Sequence, residues 1–296
     1  MKNFILCALT VALAGCSPQA KQLGASLLSQ TGLVSESQAN TAFSVGEKLS
    51  KAAGPLTEEQ EYYLGRGVSA MILAQYPLYQ NQAVTSYVNR VGNAVAAVSD
   101  RPETFSGYHF AILDTSEVNA ISAPGGFVFV SRGFLRQIPD EDALAAVLAH
   151  EVGHVVKGHG VNAISKANLT EALTMVGKEA ASSYGAPEVQ ALTAAFGDSV
   201  KDVFNTLIKN GYSRSQEYEA DEYAVTLLGR VGYSQGSLVQ MLEVLQSAGE
   251  QKGGWYDTHP SARKRISEVK DLDIALSTNT PGYETRTARY KKNVKL

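Results

Sequence analysis

The stretch HEVGHVVKGHG, residues 150–160, contains three of the five histidines in this sequence. Residues four apart on an α-helix differ by about 40° around its axis, so His150 and His154 lie on one face. Both imidazoles can then bind one metal ion. Glu151 is about 100° from His150, at the border of that face, where it can reach a water held by the metal. The HExxH spacing therefore predicts two metal ligands and a general base.

His159 is predicted not to bind the metal directly. It follows His154 by five positions, which is about 140° around a helix. It also stands between Gly158 and Gly160, where the helix is expected to end. A position beside the metal ligands, or a role as a cap on the terminal carbonyls of the helix, fits His159 better.

A catalytic zinc site needs a third protein ligand and an open position. Downstream, the segment YSRSQEYEADEYAV at 212–225 places Glu217 and Asp221 on one face of a predicted helix. Glu217 is the candidate ligand, and Asp221 is the candidate acceptor for the second ring proton of a ligand histidine. Glu219, about 200° from Glu217, should face away. Spacing alone leaves the ordinary alternative open, an acidic helix face in solvent.

The N-terminus predicts export and lipidation. Lys2 precedes an apolar run from Phe4 to Ala14, which is too short for a membrane span and typical of a secretory signal. The run ends in LAGC, which resembles the lipobox of bacterial lipoproteins, so acylation of Cys16 is expected. The alternative is an ordinary signal with an incidental cysteine. The other cysteine, Cys7, lies in the removed segment, which excludes thiol catalysis and thiolate metal binding.

Composition and pattern predict an α+β protein that is mostly helical. The 296 residues are 44% hydrophobic and 19% charged, with a net charge of -3, so no nucleic-acid partner is expected. No later segment has about eighteen consecutive apolar residues, so no membrane span is expected either. The predicted organisation is a signal peptide at 1–15, a lipid-anchored tether at 16–55, a catalytic domain at 56–275 and a solvated polar tail at 276–296.

Local signals place the elements around the histidine helix. Thr57 and Gln60 fit a capping box at a helix start. Segments 108–114 and 126–133, rich in aromatic and β-branched residues, predict strands of a small sheet. Pro139 and the acids that follow it begin the helix that carries HExxH. Two Ala-rich helices are expected within 161–210, and further helices at 214–230, 234–250 and 260–272.

These motifs resemble the HExxH/ExxxD zinc metallopeptidase family of the CAAX prenyl proteases and the heat-shock protease HtpX, and especially its lipoprotein and periplasmic branch. Four segments carry the similarity in order within 107–270: NAISAPGGFVFVSRGFL, HEVGHVVKGH, SRSQEYEAD and THPSARKRI. The membrane spans of the family are not found in this sequence. The resemblance implies a gluzincin-type domain with a small β-sheet beside the active-site helix, one Zn2+ per chain, and Glu217 as the third zinc ligand.

The resemblance implies roles for two further residues. His259, in a loop before a helix that starts with Pro260, is expected at the metal. It would be a fourth ligand that keeps the enzyme latent, or a donor to the oxyanion; the ordinary alternative is a histidine exposed in a turn. Arg214 is expected to pair with an acid near the site or to neutralise a tetrahedral intermediate, with a surface arginine as the alternative.

The strand GFVFV suggests how a substrate binds. As an edge strand beside the cleft, with Gly126, Phe127 and Val128 as candidate contacts, it would take up an extended peptide by β-addition. The alternative is a strand buried in the sheet.

The resemblance also implies a biological role and a place for it. The expected substrates are unfolded or misfolded envelope proteins, at the periplasmic face of the outer membrane of a Gram-negative bacterium. Acylated Cys16 would hold the chain to the membrane, and outer-membrane assembly machinery is a candidate partner. The rival interpretations are an envelope chaperone or assembly factor with a latent or structural zinc site, and a metallohydrolase that acts on a non-peptide substrate.

Overall fold

The fold is arranged around the buried helix that carries the HExxH motif. A computed structural model describes residues 56–164, 197–247, 254–259, 262–272, 276 and 280–296. All of these belong to one unit, which comprises Leu56–Ser165 and Val189–Leu296. The predicted signal peptide, Cys16 and the tether lie outside the described residues, as does most of the region expected to form two Ala-rich helices.

The described strands all lie between residues 109 and 131, and the other described elements are helices or helical turns. In chain order they are α1 (Glu58–Gln75), α2 (Gln82–Ala96), β1 (His109–Leu113), β2 (Ala120–Ala123), a 3-10 turn (Pro124–Gly126), β3 (Phe127–Ser131), α3 (Arg132–Leu135), α4 (Glu141–Val156), α5 (His159–Asn162), α6 (Gly197–Asn205), a π-helical turn (Thr206–Asn210), α7 (Arg214–Val231), α8 (Ser237–Ser247), α9 (Trp255–Thr258), α10 (Ala262–Lys270) and α11 (Tyr283–Asn293).

Helices α1, α4 and α7 begin at side-chain caps. The capping box predicted at Thr57 and Gln60 is confirmed at the start of α1. Asp140 caps α4, since its carboxylate accepts a hydrogen bond from the backbone N–H of Ala143 at 2.8 Å. Ser213 and Gln216 form a second capping box at the start of α7, which was not predicted. These caps fix the residue at which each of the three helices begins.

The sheet has three strands in the order β1-β3-β2. Strand β3 pairs in parallel with β1 and antiparallel with β2, with Phe127 opposite both His109 and Ala123. Strands β1 and β3 correspond to the predicted segments. Strand β2 was not predicted because its sequence, AISA, is short and lacks alternation, and all four residues are buried.

Helices cover both faces of this sheet. Val128 and Val130 of β3 face the core that α2, α4, α7 and α8 form together. On the opposite face Phe127 stacks on Tyr62 of α1, with ring centroids 5.6 Å apart. The prediction of a mostly helical α+β fold with a small sheet beside the HExxH helix is confirmed. Among the helices that the structure describes, none combines the length and the apolar character that crossing a bilayer requires.

The C-terminal segment does not form the solvated tail predicted for 276–296. Its described residues include α11, which packs against α4. Tyr290 is buried and its hydroxyl donates to the carbonyl of Leu135 at 3.1 Å. The Arg286 guanidinium pairs with buried Asp142 at 2.6 Å. The prediction was wrong because a polar, basic segment looks solvated until its acidic partners, which lie far away in sequence, are known.

Candidate metal centre

Helix α4 presents His150 and His154 side by side, as the spacing predicts. Their Nε2 atoms lie 3.0 Å apart and the two rings meet edge to face. Both side chains are buried, at 0% and 1% exposure. Two nitrogens this close, on rings that point to a common region, are arranged to share one ion.

Helix α7 brings Glu217 to the same point. Its Oε1 is 3.4 Å from Nε2 of His154, and its Oε2 is 3.7 Å from Nε2 of His150. The two helices approach closely because residue 153 is glycine. A Cβ there would lie 3.2 Å from the carbonyl oxygen of Ala220 on α7, tighter than most real contacts. A small residue on α4 therefore lets a carboxylate of the first turn of α7 reach the histidines.

His259 completes the cluster from the turn after α9. Its Nδ1 lies 3.0 Å from Oε1 of Glu217 and 3.4 Å from Nε2 of His150. Its ring stacks on Trp255 with centroids 3.9 Å apart, and its backbone N–H donates to the carbonyl of Trp255 at 2.7 Å. The alternative of a histidine exposed in a turn does not hold, because His259 is only 4% exposed.

The four side chains together fit a zinc ion. Their donor atoms, from His150, His154, Glu217 and His259, all lie within 4.8 Å of one another. Zinc–nitrogen and zinc–oxygen bonds of about 2.0–2.1 Å in a tetrahedron separate the donors by roughly 3.3 Å. The contacts of 3.0 to 3.7 Å between donor atoms match that spacing. Imidazole and carboxylate are also the donors that zinc accepts when no thiolate is present.

A further layer of side chains orients the histidines. Oδ1 of Asp221 lies 2.9 Å from Nδ1 of His150, in the place predicted for it. His159 does the same for the second histidine, since its Nδ1 is 2.8 Å from Nδ1 of His154. Gly158, at a φ of 66°, turns the chain after α4 so that His159 can point back. Such contacts fix ring orientation and leave the other nitrogen of each ligand histidine for a metal.

Arg265 of α10 was missed by the sequence analysis and lies at the centre of this layer. Its Nε and Nη2 donate to the two carboxylate oxygens of Asp221 at 2.7 and 2.6 Å. Its Nη1 lies 2.9 Å from Oε2 of Glu217, and the side chain is 1% exposed. The guanidinium therefore holds the acids of both layers at once. Arg214, which was predicted for an acid-pairing role, is exposed at the first position of α7.

The charges of the centre compensate one another. Burial alone would raise the pKa of Glu217, but His259 and Arg265 outweigh it and hold that pKa well below its usual range. Burial lowers the pKa of His154 well below its ordinary value despite its hydrogen bond to Glu217. Glu217 is thus a carboxylate and His154 a neutral imidazole, which are the protonation states that bind a metal.

Glu151 differs from the other acids of the centre. Its side chain is 0% exposed, and neither carboxylate oxygen has a hydrogen-bond partner among the described residues. Nε2 of His259 lies 3.8 Å from Oε1 of Glu151, which is too far for a hydrogen bond. Buried carboxylates are normally satisfied, so an unpartnered one beside a candidate metal site indicates a group kept free for a reactant.

The structure corrects the predicted substrate strand. Gly126 lies in the 3-10 turn, and Phe127 and Val128 belong to β3, which is the central strand. Both hydrogen-bonding edges of β3 are already used by its neighbours, so it cannot add another strand. The edge strand beside the centre is β2. A small cavity there is lined by Ala120, Ile121, Ser122, Glu151, Thr206, Leu207, Tyr212, Thr258 and His259.

A buried HExxH helix, a glutamate from a following helix and a free carboxylate beside them make up a site of the metallopeptidase type. The match to a family model agrees with this geometry, since residues 82–273 match Peptidase family M48. The chain belongs to peptidase family M48.

Several proteins of this kind are similar to the chain. The beta-barrel assembly-enhancing protease of Escherichia coli (strain K12) is 25% identical over 243 residues, which cover 81% of this chain and 49% of that protein. In the same organism, metalloprotease YcaL is 30% identical over 164 residues (55% and 61%), and metalloprotease LoiP is 26% identical over 189 residues (64% and 68%). The chain spans about half the length of the beta-barrel assembly-enhancing proteases that it matches.

Proposed function

We propose that this chain is a zinc-dependent endopeptidase of the bacterial cell envelope, with His150, His154 and Glu217 as the ligands of one Zn2+ and Glu151 as the general base. The observation that carries the proposal is the contrast within the centre. Three buried donors converge on one point, while the buried carboxylate next to them has no hydrogen-bond partner in the part of the chain that the structure describes. A purely structural zinc site has no use for such a carboxylate.

The chemistry follows from the positions of the residues. A zinc ion bound by this donor set supplies Lewis acidity toward the attacking water and the scissile carbonyl. Glu151 accepts the proton of the water and returns it to the leaving amine. Both of its oxygens are available for this, since neither has a hydrogen-bond partner within the described ranges. Asp221 and His159 keep the ligand imidazoles oriented through their second nitrogens.

His259 has two candidate roles in this proposal. Its Nδ1 lies among the donors, which favours a fourth ligand that keeps the enzyme latent in this conformation. After a small rotation the same ring would instead donate to the oxyanion of the reacting carbonyl. Removing the side chain separates the two roles, because a latch variant gains activity and an oxyanion-donor variant loses it.

The substrates are proposed to be unfolded or misfolded envelope proteins. Strand β2 borders the cavity that contains Glu151, and an extended chain is what a free strand edge binds. Leu207 lines the same cavity and the Tyr212 ring stacks on His154 at 4.1 Å, so a substrate enters only when this segment moves. The relatives of the chain include beta-barrel assembly-enhancing proteases, which supports the envelope and its outer-membrane assembly machinery as the setting.

Anchoring through acylated Cys16 at the periplasmic face of the outer membrane remains part of the proposal. It rests on the LAGC segment that ends the apolar N-terminal run. Globomycin, which blocks lipoprotein signal cleavage, should leave a longer precursor, and Cys16→Ser should behave in the same way without the drug. Palmitate labelling of the native chain that is absent from Cys16→Ser would establish the anchor, and equal labelling of both would contradict it.

The second candidate function is an envelope chaperone or assembly factor with a latent zinc site. It is favoured by one observation, the position of His259 among the donors of a centre whose ligands are all buried. In that case the zinc would hold helices α4 and α7 together, and Glu151 would be dispensable.

Metal content and casein cleavage, measured on the same protein, test the proposal. We expect one zinc per chain in the wild type, Glu151→Gln and His259→Ala, and casein cleavage that Glu151→Gln abolishes. Removal of zinc by a chelator should abolish cleavage and its return should restore it. Zinc without cleavage in the wild type and in His259→Ala would overturn the endopeptidase and favour the chaperone.

A further inference from the structure

Glu219 contacts the side chains around the metal centre, although helical spacing places it on another face of α7 from Glu217. Its side chain is 50% exposed, whereas Glu217 is buried, so the two acids do lie on different faces. Oε2 of Glu219 is nevertheless 3.3 Å from Nε2 of His159, a side chain that is only 2% exposed. An acid at the surface is therefore in direct contact with a buried ring beside a metal ligand.

The contact follows from the packing of the two helices that build the metal centre. Gly153 of α4 lies against Ala220 of α7, where a Cβ on the glycine would be 3.2 Å from the Ala220 carbonyl oxygen. Glu219 is the chain neighbour of Ala220, so this close approach brings its side chain near the C-terminal end of α4. His159 begins α5 just after that end. The same packing that forms the centre thus brings Glu219 and His159 together.

Lys157 holds the other oxygen of the Glu219 carboxylate. Its Nζ lies 3.3 Å from Oε1 of Glu219 and 5.0 Å from the centre of the Tyr223 ring. Glu219 and Tyr223 are four residues apart on α7, so the ammonium group lies against one face of that helix. A partly exposed ion pair of this kind adds little to stability. It does orient the carboxylate, with Oε1 toward Lys157 and Oε2 toward His159.

The contact between His154 and His159 determines which nitrogens carry protons. Their Nδ1 atoms lie 2.8 Å apart, a hydrogen-bond distance with room for one proton between the two nitrogens. A neutral His154 that offers the lone pair of Nε2 to a metal carries its own proton on Nδ1 and donates it. Nδ1 of His159 must then be the acceptor, so the proton of that ring is on Nε2.

The Nε2 proton of His159 is the one that faces Glu219. A buried N–H group requires an acceptor. Within the described parts of the chain, the acceptor that Nε2 of His159 meets is the Glu219 carboxylate, at 3.3 Å. The hydrogen bonds therefore form a chain from the metal ligand to the surface, in which His154 donates to His159 and His159 donates to Glu219.

We propose that Glu219 is a positioning residue of the metal centre, which acts through His159 on the metal ligand His154. By accepting from Nε2 of His159, it keeps the facing Nδ1 without a proton and Nε2 of His154 available for zinc. Without Glu219, His159 can carry its proton on Nδ1, where it opposes the N–H of His154. The inference rests on the zinc site of the proposed function and adds a surface residue that controls the affinity of that site.

The zinc affinity of Glu219 variants tests the proposal. Competition between the full chain and a chromogenic chelator measures the dissociation constant of zinc. In Glu219→Ala this constant should rise about tenfold, the lower end of the range for partners that orient a ligand histidine. Glu219→Gln should stay within about threefold of the wild type, because its amide oxygen still accepts from His159. The matched control, Glu222→Ala, removes another exposed acid of α7 and should bind zinc like the wild type.

Nitrogen NMR of the histidines separates positioning from a general effect on the fold. The full chain is labelled with 15N in its histidines, and the shifts report which nitrogen of each ring carries the proton. Without zinc, His159 should be protonated on Nε2 in the wild type and in Glu219→Gln, and should populate both tautomers in Glu219→Ala. The urea midpoints of Glu219→Ala and Glu222→Ala should agree, since both side chains are exposed. A wild-type tautomer of His159 in Glu219→Ala would contradict the proposal.

A His159→Gln background shows whether Glu219 acts through the ring. The glutamine amide oxygen can accept from Nδ1 of His154 without help from residue 219, so adding Glu219→Ala there should change zinc affinity less than twofold. Unchanged affinity in Glu219→Ala, a tenfold loss that persists in this background, or an equal loss in Glu222→Ala would overturn the positioning role and leave the peptidase intact. A wild-type chain that binds no zinc would overturn the proposed function and this inference together.

Discussion

Helix α4 carries a buried cluster of charged side chains at each end. At its N-terminus the acids Asp140, Glu141 and Asp142 meet Arg286 and Arg289 of α11, an arrangement we call the clasp. At its C-terminal end the HExxH residues meet Glu217, Asp221, His259 and Arg265. The acids of both clusters are at most 4% exposed.

The two clusters differ in how their acids are satisfied. In the clasp every carboxylate oxygen accepts a hydrogen bond. Asp140 accepts from Ala143 N–H and the Tyr283 hydroxyl. The remaining donors are Tyr87, Tyr233 and Arg289 to Glu141, and Ser234 N–H and Arg286 to Asp142. In the metal centre, by contrast, donors converge on one point and Glu151 has no hydrogen-bond partner among the described residues.

This difference separates structural charge from functional charge. Burying an ionised group costs free energy that only hydrogen bonds and a counter-charge can offset. The clasp offsets that cost completely with groups of this chain, so it has no need of an outside molecule. In the metal centre the free-energy cost of burying ionised groups is only partly offset, and a bound metal ion and a water would offset the rest. Burial alone therefore does not distinguish an active site, whereas incomplete pairing does.

Neutralising one glutamate in each cluster should give the largest difference between the two clusters. Glu151→Gln should lower the rate of casein cleavage by about 10²- to 10⁴-fold, the contribution of a general base, with little change in unfolding free energy. Glu141→Gln should leave the cleavage rate within about threefold but lower the unfolding free energy by about 2 kcal/mol, because it weakens charged hydrogen bonds. Cleavage rates and urea unfolding of both variants measure this. Equal losses of activity in the two variants would contradict the distinction between a structural and a functional cluster.

A second prediction concerns the arginine that pairs with Asp142. Arg286→Ala leaves a fully buried carboxylate without its counter-charge, so the free energy of unfolding should fall by about 3 kcal/mol. Urea unfolding checks it. The matched control is Arg230→Ala, which breaks an ion pair with Asp100 that is largely exposed, and should therefore have a clearly smaller effect. Similar losses in both variants would mean that burial of the clasp contributes nothing.

A third prediction concerns Arg265. Arg265→Met removes the donors that hold Asp221 and Glu217, so zinc affinity should fall about 10- to 100-fold. Arg265→Lys keeps the positive charge but lacks the forked N–H donors of a guanidinium, so its zinc affinity should fall less. Competition with a chromogenic chelator measures both affinities. Arg263→Met, an exposed neighbour on α10, should bind zinc like the wild type. Unchanged affinity in Arg265→Met would show that the arginine acts on folding alone.

Local periodicity accounts for the residues that the sequence could place. His150 with His154, and Glu217 with Asp221, are four apart on helices, so each pair shares a face whatever the rest of the fold does. The meeting of the two pairs depends on Gly153 against Ala220, and only the family resemblance linked them beforehand.

Long-range pairing explains what could not be predicted. Arg265 stands among three charged or polar neighbours in ARKRIS, and nothing local marks it as the buried one. The clasp joins residues more than 140 positions apart. Because the partners of α11 are so distant in sequence, its own pattern predicts only a polar tail. Strand β2 is defined by its register with β3, and its four small or apolar residues carry no alternation of their own. In each case the partner, and not the segment itself, determines the structure.

The smallest predicted effect is a pH dependence that belongs to the clasp. Burial raises the pKa of Glu141, but hydrogen bonds from Arg289, Tyr87 and Tyr233 outweigh it and hold that pKa below its ordinary value of 4.5. The folded chain thus keeps Glu141 ionised at pH values where the unfolded chain protonates it. Its contribution to stability is therefore complete above about pH 4.5 and is lost as the pH falls through the folded pKa.

Urea unfolding of the wild type and Glu141→Gln across this range, after zinc removal, tests the effect. The metal ligands titrate alike in both proteins, so the difference in unfolding free energy isolates Glu141. That difference should be constant near neutral pH and shrink below about pH 4.5. The change is expected to be modest because Arg289 is 51% exposed and solvent screens its charge. A difference that stays constant down to about pH 3 would mean that Glu141 stabilises the clasp through packing and neutral hydrogen bonds, and the contrast with Glu151 would then rest on pairing geometry instead of charge.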